Sequence, residues 1–147
     1  MLMDDRDVDL NEAIRALREA ALRHAGDRLR AQDAGLQDLL DGLAARRERN
    51  AEAILDAWED APRATRSPDP EAMALKDAFS RVRAAIAEDQ DGVLADKCLT
   101  IETRAFNAVQ AARKHKHPSA LDRALLAAHE DIADAMNALQ PFLPDDR

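Results

Sequence analysis

His24, Arg47, Glu102 and His129 fall on or beside the apolar stripes of four different predicted helices. Imidazole and carboxylate groups on facing helices are the material from which helical bundles build metal and cofactor sites. Arg47, Glu102 and His129 lie near the centres of their helices. His24 stands roughly four residues past the centre of its own, about 6 Å along the axis. In an up-down arrangement these groups share one layer, and two chemistries compete for it. In the first, His24, Glu102, His129 and one more carboxylate, Glu48 or Asp27, hold zinc or iron, because such ions take several N, O or S ligands. In the second, Arg47 and Glu102 form a buried ion pair, and His24, Asn50 and His129 complete a polar network that fixes helix register. Arginine favours the second. It is a permanent cation with no lone pair to donate, and it competes with a metal for the carboxylate.

Other chemistry-bearing residues read more simply. Glu48 and Glu52 share a helix face, where carboxylates ordinarily solvate the surface. His115-Lys116-His117 closes a helix, where cations favour the negative end of the dipole. A histidine phosphotransfer role for His24 is a further alternative. The residues after it, Ala25-Gly26-Asp27, lack the expected His-x-x-Lys-Gly pattern, and its place on the apolar stripe restricts access. Cys98 occupies an inward position and reads as a small hydrophobe. Phosphate loops, nucleophile elbows and zinc-ribbon spacings are not seen.

Five helical segments position these residues. The first, 9–31, has Asp9 as N-cap with Glu12 as its capping-box partner and a stripe of Leu10, Ile14, Leu17, Ala21 and His24. The second, 33–59, carries Leu36, Leu40, Leu43, Arg47, Asn50 and Ile54, with Trp58 near its end. The short link between them makes them antiparallel neighbours. Residues 60–70 hold three prolines and read as a crossover loop. A shorter third helix spans 70–88, with Leu75, Phe79, Val82 and Ile86. The fourth runs over 93–114 with Leu94, Cys98, Ile101 and Ala105 inward. The fifth opens at Pro118-Ser119, carries Leu121, Leu125, Ala128, Ile132, Ala135 and Leu139, and stops near Pro141. The long segments have about 22 to 27 residues, or some 33 to 40 Å.

The expected fold is therefore all-α: an antiparallel four-helix bundle with a short extra helix in the crossover. Residues 8–140 form one domain, 1–7 a disordered tail and 141–147 a C-terminal tail. The composition agrees. Alanine makes up roughly a fifth of the chain, well above ordinary usage, aromatics are 3% of the 147 residues, and there are 4 glycines. The formal charge of −8 disfavours nucleic acid. No apolar run reaches the ~20 residues of a membrane span. A single cysteine excludes an intrachain disulfide and suits a cytoplasmic location.

Two segments carry a family resemblance. Leu43-Ala44-Ala45-Arg46-Arg47-Glu48-Arg49-Asn50-Ala51 resembles a Leu-Ala-x-x-Arg-x-x-aromatic-Ala segment, with Asn50 in the aromatic position. Cys98 and Glu102 match a Cys-x-x-x-Glu segment. Over about residues 8–140 the chain thus resembles small bacterial ferritin-like four-helix domains of unknown function. Di-iron members of the wider fold carry Glu-x-x-His on two helices and a lone Glu on two others. In the corresponding places this sequence has Arg47-x-x-Asn50, Leu126-x-x-His129, Glu102 and His24, so the pattern is degenerate. The resemblance implies a fold more than an activity. The expectation is a structural or protein-interaction module without di-iron catalysis, in a stress response as the fold relatives suggest, with no cofactor. An iron or zinc protein is the alternative. Exposed alanine-rich faces and Trp58 near a helix end permit a homodimer.

Overall fold

The computed structural model describes residues 4–66 and 90–144. Among these the chain is all-α, with no strand, and its long helices pack against one another. They are α1 (Asp5–Arg28), α2 (Ala34–Ala57), the single-turn α3 (Arg63–Arg66), α4 (Gln90–Arg113) and α5 (Ser119–Leu139), with a 3-10 turn at Gln140–Phe142. The expected helix over 70–88 lies outside the described residues. No described helix is long and apolar enough to cross a membrane.

Capping explains where the helices begin. α1 starts at Asp5, a turn before the anticipated Asp9, because the Asp4 carboxylate accepts the backbone N–H of Asp7 at 2.8 Å. The segment expected to be a disordered tail is thus helical from residue 5. Asp9 instead bonds His115 across the bundle at 2.7 Å. Asp33 caps α2 as expected, accepting the N–H of Leu36 at 3.0 Å. α4 starts at Gln90, ahead of the anticipated Val93. Asp91, read from the sequence as part of an interruption, lies in its first turn, where a negative charge suits the helix dipole. Its two oxygens accept the backbone N–H groups of Gln32 and Asp33, both at 2.8 Å. One carboxylate therefore ties the α1–α2 link to the start of α4. Asp91→Ala removes both bonds and should cost about 1–2 kcal/mol in urea unfolding, the scale of a lost cap. An unchanged midpoint would show that the link is held by packing alone.

The crossover is also pinned. Thr65 Oγ1 pairs with Asn11 Oδ1 at 2.6 Å, and Arg18 donates to the Thr65 carbonyl at 2.8 Å, so Thr65 of α3 is tied to α1. At the opposite end of the chain, Phe142 is half-buried and packs on the core, so residues expected to be tail help to close it.

α1 packs chiefly against α2 and α4, and α5 chiefly against α2 and α4. Among the described residues the buried core falls into two apolar clusters. The larger joins the beginnings of α1 and α5 to the ends of α2 and α4, through Leu10, Ile14, Leu17, Ile54, Trp58, Val109, Leu121 and Leu125. The smaller joins the end of α1 and the start of α2 to the start of α4 and the end of α5, through Ala31, Leu36, Leu40, Leu94, Cys98 and Leu139. Fully buried alanines, among them Ala13, Ala20, Ala105, Ala112 and Ala128, leave room for close approach. On α1, α2 and α4 the stretch between the two clusters carries His24, Arg47 and Glu102, while on α5 it carries Ala135.

Candidate functional site: a buried polar layer

Each side chain of the layer sits where its helix turns inward. On α1, Leu10, Ile14, Leu17 and Ala21 are buried, and His24 is the next position on that face. On α2, Leu40 and Leu43 precede Arg47; on α4, Cys98 precedes Glu102 by one turn. His24, Arg47 and Glu102 are each 0% exposed. Glu102 is the hub. Its Oε1 accepts His24 Nε2–H at 2.8 Å and Arg47 Nε–H at 3.0 Å, and its Oε2 accepts the same Arg47 Nε–H at 2.9 Å. The α2 side chain thus reaches a carboxylate on α4, a helix that is not among its principal packing neighbours.

Arg47 also donates through Nη1 to Asn50 Oδ1 at 2.7 Å and through Nη2 to the Asp131 carbonyl at 3.4 Å. Asn50 in turn donates to Asp131 Oδ2 at 3.3 Å. Asp131, about a third exposed, lies 3.8 Å from Arg46 and carries the network to the surface. Side chains of α1, α2, α4 and α5 are therefore linked. A guanidinium resting on a carboxylate with further donors satisfied is the geometry a buried charge requires.

Of the residues anticipated for this layer, the structure brings together His24, Arg47, Asn50 and Glu102. It places His129 elsewhere. Leu125, Ala128 and Ile132 form the buried face of α5, and His129 is one residue, about 100°, round from Ala128. Its ring stacks on Phe106 with centroids 4.1 Å apart, and Nδ1 accepts from Arg113 at 3.1 Å. Burial, with Arg113 beside it, lowers the imidazole below its ordinary range. Glu48 is exposed, one step round α2 from Arg47, and Glu52 is exposed as well. The set His24, Glu102, His129 and Glu48 is not assembled, and no group of three or more His, Cys, Asp or Glu side chains suited to a metal occurs among the described residues.

Two contacts escaped sequence reasoning. Asp131 sits beside the stripe residue Ile132, and no periodic signal marks it as a partner of Arg47. Asp27, considered as a ligand, instead accepts the Cys98 thiol at 3.9 Å, with both residues buried. Burial pushes the Asp27 carboxyl up against the opposing pull of Lys97; burial, with the Asp27 and Glu102 carboxyl groups nearby, also pushes the Cys98 thiol up, so this thiol is a poor nucleophile. The fully buried His24 offers no access to a phosphate donor.

His115 and His117 clasp the bundle's end. His117 Nε2–H donates to the Ala112 carbonyl at 2.6 Å, in the last turn of α4, while its Nδ1 accepts from Arg6 at 3.2 Å. That fixes the neutral tautomer and joins the end of α4 to the beginning of α1. Comparison with family models, with curated proteins and with solved structures finds no match to this chain.

Proposed function

We propose that this chain is a non-catalytic helical module of antiparallel, ferritin-like design, whose central polar layer sets helix register, and that it serves a structural or protein-interaction role in the cytoplasm. The observation that carries this reading is the state of Glu102. Both of its oxygens are engaged, by a permanent cation and by a fully buried imidazole. A divalent ion at that carboxylate would face the guanidinium at close range. Antiparallel order is supported by the links at 29–33 and 114–118 and by the two core clusters, each of which joins helix beginnings to helix ends. A role in stress response rests on the ferritin-like resemblance of the segments around Arg47 and Glu102, and homodimerisation on the exposed alanine-rich faces.

Elemental analysis of untagged protein, with anaerobic Fe(II) and Zn(II) titration, tests the reading. The expected result is no stoichiometric metal and an unchanged melting temperature on adding either ion. Stoichiometric metal that is lost in a folded His24→Ala/His129→Ala variant would overturn it and establish an iron or zinc protein.

A further inference from the structure

The described interior contains two buried carboxyl groups, Asp27 at 4% exposure and Glu102 at 0%, against one fully buried guanidinium, Arg47. Arg47 and His24 are both committed to Glu102. Among the described side chains, Asp27 keeps only the Cys98 thiol as a hydrogen-bond partner, at 3.9 Å. A thiol is a weak donor. A carboxylate buried without a cation in contact or strong donors is costly, and it relieves that cost by taking up a proton. His24 Nδ1, one turn back on the same helix, is buried and has no hydrogen-bond partner among the described residues, while Nε2 is engaged with Glu102.

The charged and titratable groups around Asp27 are few. Its own helix supplies Arg23 and His24, and the link after it supplies Arg30; α4 supplies Lys97 and Cys98, with Glu102 acting on Cys98 from the next turn. The buried charge of α2 is Arg47, already bonded to Glu102. Burial outweighs the combined attraction of Lys97, His24, Arg30 and Arg23.

We propose that Asp27 holds an exchangeable proton, and that releasing this proton to water loosens the seam between α1 and α4, making this end of the molecule a proton-controlled joint. The position suits the role. The Asp27 carbonyl accepts the N–H groups of Arg30 and Ala31 at 2.9 and 3.1 Å, which shape the turn out of α1. Gln32 and Asp33, next in the chain, hang from the Asp91 carboxylate of α4. Displacing the ionised Asp27 side chain toward water therefore strains the link that joins α1, α2 and α4. The folded state holds the proton more tightly than the unfolded chain does. Stability is therefore full below the ordinary carboxylate range and falls as pH rises through the folded titration of Asp27.

The test is carboxyl-carbon NMR on the labelled full chain between about pH 4 and pH 9, read against the ordinary aspartate value of about 3.9, with amide exchange over 24–31 followed in parallel. The Asp27 signal should titrate above that value. Exchange should quicken with pH beyond its intrinsic dependence, by up to about tenfold for each unit of elevation. An Asp27→Asn variant should lose the extra dependence and unfold at higher denaturant than the wild type at neutral pH. Titration of Asp27 at or below the ordinary value would overturn the proposal, as would an ionised Asp27 beside a His24 ring carrying both protons, or a titration with no change in exchange. The two spectroscopic readouts use the wild-type chain and decide the matter even if the variant fails to fold.

Discussion

Glu102→Ala should destabilise the protein by about 3–5 kcal/mol, the cost of leaving a buried charge without its partner. The effect is large because Arg47 is 0% exposed and its Nε–H is given to both oxygens of Glu102. Alanine leaves Arg47 with Asn50, the Asp131 carbonyl and, at 3.9 Å, the partly exposed Asp131 carboxylate, and it deprives His24 Nε2 of its acceptor. Glu102→Gln should cost less, since the amide oxygen still accepts, while its NH2 group faces the guanidinium unfavourably. Urea unfolding followed by far-UV circular dichroism measures both. A loss below about 1 kcal/mol for the alanine variant would mean that Arg47 reaches water, contrary to the burial seen here.

Trp58→Ala should cost a similar amount, about 3–5 kcal/mol, as truncation of large buried aromatics does. Trp58 is 1% exposed and lies in the larger apolar cluster, just past the last residue of α2. Its carbonyl accepts from Arg66 at 2.9 Å, so the same residue seats the crossover. The indole N–H is buried without a partner among the described residues. Trp58→Phe should therefore retain most of the stability, because it removes an unsatisfied donor along with some volume. Equal losses for the two variants, measured by circular dichroism, would mean that the indole N–H is bonded in solution.

Much of this arrangement could be read from residue spacing, and the exceptions have physical causes. His24, Arg47, Asn50 and Glu102 could be brought to one layer because each helix is long and regular, so stripe position and distance from the helix centre translate into height. His129 shows the limit of that method. It follows the stripe residue Ala128 directly, and one residue of helical rotation takes it from the core to a stack on Phe106. Helix starts were displaced where two acids compete to cap, as at Asp4 and Asp9, since the choice depends on which carboxylate finds another partner. Asp9 finds His115, more than a hundred residues away. The roles of Asp91, Asp131 and Arg6 belong to the same class. Each is a polar residue with an unremarkable local pattern, and each acquires its partner only when the helices dock.

The central claim is that Glu102 belongs to Arg47, as a structural pair across the core. A double-mutant cycle with Arg47→Met, Glu102→Leu and the double variant measures that directly. Each single change should cost roughly 3 kcal/mol or more, while the double, with no stranded charge, should unfold close to the wild type, giving a coupling of about 6 kcal/mol or above. Additive losses, within about 0.5 kcal/mol, would contradict the account, because they would show that the two side chains do not depend on one another in the folded protein.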